Sequence, residues 1–350
     1  MRAPRPRPTA TPVGRLSSNR PIGVLGAGAF GTALAIQLSR RGAAAFLWGR
    51  NAKAMATMQA SRENARYLPG CALPVSLTAT ADLARVVAES GDILIATPSP
   101  TLRETCERLA PLLRPAQGIA CAAKGLEPGS GRLAHEVIGA VLGAQRAIAI
   151  ISGPTFAREL GIGLPTAVTV AANDAAFAER MAAALHGDGF RAYTSEDMIG
   201  VEIGGAAKNV LAIAVGIADG LGLGANTRAA MITRGLNEIA RLAAALGANP
   251  ETLMGLAGVG DLVLTCTDNQ SRNRRFGMAL AETGSVLAAE AKVGALVEGV
   301  ATARAIAALA THSQIDMPIA AEVARVLAGT TTPRDAVRDL LARDPTMETR

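Results

Sequence analysis

The sequence predicts an α/β fold, a doubly wound parallel sheet over residues 21–198, followed by an all-α domain over residues 199–350. Three observations predict it. Short apolar runs alternate with helical stretches as far as about residue 195, and a glycine-rich turn follows the first run. Beyond residue 198 the strand patterns stop and long Ala/Leu-rich stretches take over. Short continuous apolar runs between amphipathic helices mark a parallel sheet covered on both faces. At 350 residues the chain is also longer than one compact domain usually is.

The elements follow in order. Ile22–Leu25 reads as a buried strand, then comes the glycine turn and a helix over Phe30–Arg41. Ala44–Trp48 is a second strand. Asp92–Thr97 is a third, stopped by Pro98, with a helix over Leu102–Leu113. Gly118–Ala122 and Ala147–Ile151 are the next two strands, and Thr166–Ala171, Ala175–Leu185 and Phe190–Tyr193 add a strand, a helix and a strand. The second half reads as helices over Val201–Leu221, Thr227–Leu246, Arg274–Glu282, Gly299–Ala310 and Ile319–Ala328. No internal repeat is evident.

Composition excludes several classes. With 49% apolar and 18% charged residues the chain is neither disordered nor fibrous, and with 3% aromatics its core must be aliphatic. The net charge of +6 suggests nucleic acid only until it is located. Residues 1–20 hold five arginines and no acid, which leaves 30 basic against 29 acidic residues in the body. That Pro/Arg/Ser-rich stretch is expected to be a disordered, solvated tail. Cys71, Cys106, Cys121 and Cys266 show no metal-ligand or disulfide spacing and read as reduced, packed thiols. His135, His186 and His312 are scattered, so no metal site is expected. The most apolar stretch, Val210–Ala218, is bounded by Lys208 and Asp219, too short to span a bilayer. The first residues lack the apolar core of a secretory signal. A cytoplasmic protein with neither a nucleic-acid partner nor stable membrane insertion is the expectation.

The turn after the first strand, Gly26-Ala27-Gly28-Ala29-Phe30-Gly31, is a complete G-x-G-x-x-G. The first glycine permits the tight turn and the second lets backbone approach a pyrophosphate. The third lets the helix pack closely on the strand, with its amides facing the anion. Strand before and helix after are the context this motif demands, so a Rossmann-like NAD(P) site is expected. A strict NAD enzyme commonly ends its second strand with an acid that holds the ribose 2′-hydroxyl. Here the strand ends Trp48-Gly49-Arg50-Asn51. Arg50 could stack on the adenine or meet a 2′-phosphate, so NADP is expected to be accepted, alongside NAD.

Only four of the 35 basic residues are lysines: Lys53, Lys124, Lys208 and Lys292. Lysine, unlike arginine, can lose its proton when burial lowers its pKa. Lys208 sits inside the apolar run Gly204-Gly205-Ala206-Ala207-Lys208-Asn209-Val210, where a buried ammonium is costly unless it has a partner or a task. Lys124 follows the strand at 118–122, and Ser152-Gly153-Pro154-Thr155 follows the next one. Both therefore lie at the carboxyl edge of the sheet, where ligands bind in such folds. In the helical half, Gly258-Val259-Gly260-Asp261 places a carboxylate after flexible glycines, and Ser271-Arg272-Asn273 opens a helix. Amides, a hydroxyl and a guanidinium at a helix N-terminus make a phosphate cradle, although Ser271 there is also an ordinary N-cap.

With these residues in view, the chain resembles the bacterial NAD(P)-dependent glycerol-3-phosphate dehydrogenases. The segments that carry the resemblance are GAGAFGTALA, LWGRN, NARYLPG, KGLE, ISGPTFARE, GLPTAV, EIGGAAKNVLAI, GLGANTRAAMITRGL, GLAGVGDLVLTCTDNQSRNRRFG and VEGV, in the family's order from about residue 22 to 320. The resemblance implies interconversion of sn-glycerol 3-phosphate and dihydroxyacetone phosphate, supplying glycerol 3-phosphate for phospholipid synthesis. It implies Lys208 as the base for the C2 hydroxyl. It implies substrate contacts at Lys124, Gly153, Thr155, Lys208, Asp261, Ser271, Arg272 and Asn273. It implies cofactor contacts at Ala29, Phe30, Arg50, Tyr67, Lys124, Ala157, Arg272, Leu296 and Glu298, beside the glycines at 26, 28 and 31. Ala29 stands where the family often has Ser, so a hydroxyl contact there is lost and a backbone one survives. Whether Asp261 orients Lys208 or binds a substrate hydroxyl is left open by the sequence. The size and apolarity of the helical half suggest a homodimer.

Overall fold

The computed structural model describes residues 20–40 and 42–343; the basic stretch at residues 1–19 lies outside them. The strands are β1 (Ile22–Leu25), β2 (Ala45–Trp48), β3 (Glu63–Asn64), β4 (Leu68–Ala72), β5 (Leu77–Thr80), β6 (Asp92–Ile95), β7 (Ile119–Cys121), β8 (Ile148–Ser152), β9 (Thr166–Ala172) and β10 (Phe190–Ser195). Eight of them form one sheet in the order β10-β9-β8-β7-β6-β1-β2-β5, and β3 and β4 pair separately as a hairpin. From β5 to β8 every neighbouring pair is parallel, in the doubly wound order, with its switch point between β1 and β6.

The sheet is not wholly parallel, and this corrects the sequence reading. β9 runs antiparallel to β8, pairing Ile150 with Ala171, and β10 follows β9 in parallel. An apolar run of β-branched residues reads alike in either direction, so only the connection decides. The helix Ala157–Ile162 between β8 and β9 is too short to carry the chain back across the sheet.

The helical half is organised around the helix Met198–Gly220, buried along nearly its whole length. The sequence reading opens this helix at Val201. The Asp197 carboxylate, accepting from the Gly200 amide at 2.8 Å, starts it a turn earlier. Contrary to expectation, this helix is long and apolar enough to cross a membrane. It is used instead as a core element, with 89% of its most apolar window buried inside the protein. Its first turns pack with the sheet through Met198 and Val201, and the remainder carries the core of the helical half. At that junction the buried Glu202 carboxylate accepts from the His135 amide at 2.8 Å and pairs with its ring Nδ1. All four cysteines are free and buried, and burial pushes the Cys106, Cys121 and Cys266 thiols up to about 12.

Candidate active site

The glycine turn sits at the switch point, and each glycine is there for a different steric reason. Gly26 has φ +120°, and a Cβ on it would stand 2.7 Å from the Ala96 carbonyl oxygen beyond β6. A Cβ on Gly31 would meet the Gly26 carbonyl oxygen at 2.0 Å, so the helix Ala29–Ser39 can lie against the turn only through glycine. A Cβ on Gly28 would meet nothing within 4 Å. Gly28 borders open space and N-caps that helix without any side-chain cap. The first-turn amides, Ala29 and Phe30 among them, therefore face outward as an anion site. These features fit a dinucleotide pyrophosphate.

The turn is held from behind by a residue the sequence reading did not single out. Asn64, the last residue of β3 at the turn of the β3–β4 hairpin, donates through Nδ2 to the Ala27 carbonyl at 3.0 Å and to Thr32 Oγ1 at 2.7 Å. Tyr67, whose amide donates to the Asn64 carbonyl at 3.2 Å, is thereby tied to the same region. Its ring is half exposed, with the Arg66 guanidinium 5.0 Å above it. Arg50 is exposed at the carboxyl end of β2, directly before the Asn51 N-cap of the next helix.

Across the cleft the chain assembles a buried polar cluster from both halves. Lys124, in the loop after β7, donates to Asp261 Oδ2 at 2.8 Å and to the Gly153 carbonyl at 3.0 Å. Lys208, on the central helix, donates to Asp261 Oδ1 at 2.5 Å and to Thr265 Oγ1 at 2.9 Å. Asp261 is wholly buried, and Lys208 is 6% exposed. Small residues make the approach possible. A Cβ on Gly204 would be 2.5 Å from the Ala257 carbonyl, and one on Gly258 would be 2.0 Å from the Leu253 carbonyl. The glycine-rich π-type turn Leu256–Gly260 can therefore lie on the central helix and aim Asp261, the first residue of the helix Asp261–Thr267, at Lys208. A carboxylate in a helix's first turn also gains from the helix dipole.

Burial pushes the Lys208 ammonium down to about 8 from its ordinary 10.5, and Lys124 adds to the lowering while Asp261 opposes it. A group that charges and discharges near neutral pH can take and return a proton during turnover. The Lys124 ammonium lies 5.6 Å from the centroid of the Phe30 ring, which sets the cluster beside the glycine turn. Thr155 donates to the Gly153 carbonyl at 3.0 Å, and Ala157 opens the next short helix, so both border the same edge.

Ser271 N-caps the helix Arg272–Thr283, its Oγ accepting from the Arg274 amide at 3.2 Å. Its hydroxyl proton remains available to a ligand. The Arg272 side chain is exposed and donates to the Leu296 carbonyl at 2.9 Å. Leu296 precedes the helix Glu298–His312, whose first residue, Glu298, is close enough to favour the charged form of Lys208. Asn273 is buried, donating to Asn209 Oδ1 at 2.8 Å and accepting from the Gly299 amide at 3.0 Å, so its amide group is already committed within the protein. Asn209 in turn donates to the Lys124 carbonyl at 3.3 Å. Asn209 and Thr265 were not foreseen as site residues. Thr265 lies four residues after Asp261 on one helix face, a spacing that becomes visible once that helix is assigned.

Comparison with known proteins gives one consistent answer. Residues 21–178 match the N-terminal domain of the NAD-dependent glycerol-3-phosphate dehydrogenases and residues 197–338 match their C-terminal domain. The chain is 56% identical to a glycerol-3-phosphate dehydrogenase, NAD(P)+, of Halorhodospira halophila, over 93% of this chain and 98% of that one. It is 54% identical to the enzyme of that name from Xanthomonas euvesicatoria pv. vesicatoria, over 92% and 95%. The crystal structure of glycerol-3-phosphate dehydrogenase from Coxiella burnetii superposes with a TM-score of 0.89 at 47% identity, covering 93% of this chain and 99% of that one. A chain that carries both domains of this family over most of its length, with the glycine turn and the buried lysines in place, belongs to the NAD-dependent glycerol-3-phosphate dehydrogenases.

Proposed function

We propose that the protein interconverts sn-glycerol 3-phosphate and dihydroxyacetone phosphate with NAD(P), in the cytoplasm, supplying glycerol 3-phosphate for phospholipid synthesis. The observation that carries this reading is the meeting of Lys208, Asp261 and Lys124 beside the glycine turn. Bound NAD(P) supplies the hydride acceptor or donor. The outward amides of the helix Ala29–Ser39 would hold its pyrophosphate, and Phe30, Arg50 and Tyr67 would contact it from residues 21–198. Residues 199–343 carry the base and the phosphate site.

In the oxidative direction neutral Lys208 takes the proton of the C2 hydroxyl as hydride leaves C2. In the reductive direction its ammonium returns that proton to the forming alkoxide. Lys124 supplies a second positive charge toward the carbonyl oxygen. Asp261 holds both amines in place and limits how far the Lys208 pKa falls. Arg272, the Ser271 hydroxyl and the amides behind them take the phosphate. Asn273, committed to Asn209 and Gly299, contributes to that site through its backbone and by fixing its position.

Oxidation of NADPH by the purified protein on addition of dihydroxyacetone phosphate tests the reading. A panel of 2-oxoacids and other sugar phosphates runs beside it. Turnover of another member of that panel, with dihydroxyacetone phosphate inert, would overturn it.

A further inference from the structure

The helix that opens at Ser271 is joined to the Lys208 helix by three contacts of different kinds. Beside Lys208, Asn273 donates to Asn209 at 2.8 Å. Two turns further along, the backbones nearly touch: a Cβ on Gly216 would stand 2.2 Å from the Arg274 carbonyl oxygen, and one on Gly277 would stand 2.2 Å from the Ile213 carbonyl oxygen. At the far end Arg274 donates from Nε at 3.0 Å and from Nη2 at 2.5 Å to Asp219, near the C-terminal end of the Lys208 helix.

Arg274 has one nitrogen left, Nη1, and it donates to Asn269 Oδ1 in the loop just before Ser271. The side chain is 8% exposed, so this guanidinium is an internal tie and no ligand for anything in solvent. Asp219 is held on its other side by Arg228, with Nη2 to Oδ1 at 2.7 Å, which fixes the carboxylate that Arg274 grips. The loop is further stiffened by Asp268, whose side chain accepts from the Gln270 amide at 2.7 Å.

The glycine contacts set how far apart the two helices lie. Sliding of one helix along the other is opposed at one end by the Asn209–Asn273 contact and at the other by Asp219–Arg274–Asn269. We propose that Arg274 and Asn269 are positioning residues for the phosphate site: through Asp219 they fix the Asp268–Arg272 segment in register with the Lys208 helix. This fixes the distance from the phosphate to the reacting C2 carbon. The proposal rests on the reading of Ser271 and Arg272 as the phosphate site. Neither Arg274 nor Asn269 needs to touch the substrate.

The test compares Asn269→Ala, an exposed loop change that leaves the Asp219–Arg274 pair whole, with Arg274→Lys, which keeps the charge and loses the fork. For Asn269→Ala the KM for dihydroxyacetone phosphate should rise roughly tenfold, the equivalent of one hydrogen bond to a charged group. The NADPH Kd and the kcat/KM for unphosphorylated dihydroxyacetone should stay at parental values. Arg274→Lys should show the same split more strongly. Equal losses on both substrates, or an unchanged KM in Asn269→Ala, would overturn the proposal, as would a lowered melting temperature with no split between substrates. Should Arg274→Lys fail to fold, Asn269→Ala decides alone. A parent protein without dihydroxyacetone-phosphate-dependent NADPH oxidation would remove the proposed function and this proposal together. An active parent with variants that do not discriminate removes only this one.

Discussion

Lys124 and Lys208 come from opposite halves of the chain and stand on opposite oxygens of one carboxylate, that of Asp261. Two ammonium groups this close would repel, and each would be costly to bury alone. The shared carboxylate offsets both costs with a single negative charge, which leaves the cluster net positive. That residual charge suits a site that must attract a phosphorylated substrate and stabilise a forming alkoxide. It also means that Lys208 is held charged less firmly than in a one-to-one ion pair.

The first prediction concerns that lysine. Lys208→Ala should bind NADPH nearly as tightly as the parent, because the glycine turn lies on the other half. Turnover should fall by at least the roughly 10²–10⁴-fold that general acid–base catalysis contributes. Lys208→Arg should fail similarly, since guanidinium cannot accept a proton. Steady-state turnover alongside NADPH fluorescence titration measures both, and an arginine variant near parental turnover would remove the general-base assignment.

The pH dependence follows from the same group. Lys208 titrates near 8, and glycerol 3-phosphate oxidation needs its neutral form. The kcat/KM for oxidation should therefore rise with pH through about 8, while that for reduction, which needs the ammonium, should fall over the same range. Asp261 raises this pKa, so Asp261→Asn should move both midpoints to lower pH as well as reducing the rates. A midpoint that stays put or moves upward in Asp261→Asn would show that another group controls the profile.

How far the sequence reaches is clearest at particular residues. Gly26, Gly28 and Gly31 could be assigned because a strand–turn–helix of this kind imposes its own local sterics. Lys208 stood out because an ionisable group inside an apolar helix is anomalous wherever that helix packs. The edge strand Leu77–Thr80 was missed, since alternate residues of Leu-Thr-Ala-Thr are only half buried and give no continuous apolar run. The reversal of β9 was missed because strand direction is a property of the connection. Thr265, Asn209 and Asn64 were missed for a third reason. Each acts through a partner distant in sequence, and neutral polar residues in a helix or a short hairpin carry no local mark of that. Asn273 shows a bond of the same hidden kind, since its side chain joins Asn209 and the Gly299 amide, partners far away in the sequence.

The phosphate site gives a prediction that separates substrates. The Arg272 guanidinium is exposed at the start of its helix and is held to one side by the Leu296 carbonyl. Arg272→Ala should raise the KM for dihydroxyacetone phosphate steeply, by roughly 10- to 100-fold for a lost charged hydrogen bond. The kcat/KM for unphosphorylated dihydroxyacetone, which lacks the group that Arg272 would hold, should be little affected. Equal losses on both would mean that Arg272 serves the cofactor or the fold.

Cofactor choice turns on the end of β2. Trp48 is buried there, its indole Nε1 donating to the Ala81 carbonyl at 3.0 Å, and Arg108 lies 4.9 Å over its ring on the other side. The strand end is therefore rigid, and Arg50 follows it two residues later with its side chain in solvent. The residues that end the strand, Trp48-Gly49-Arg50-Asn51, include no acid to bind a 2′-hydroxyl or repel a 2′-phosphate, so NADPH should be used at least as well as NADH. Arg50→Ala should weaken NADPH more than NADH, by about 1.5–3 kcal/mol if the guanidinium meets the 2′-phosphate directly. If it lies flat on the adenine instead, both cofactors lose the same contact and the ratio of their kcat/KM values stays fixed. That ratio, measured in parent and variant, separates the two arrangements, and an unchanged value would exclude the 2′-phosphate contact.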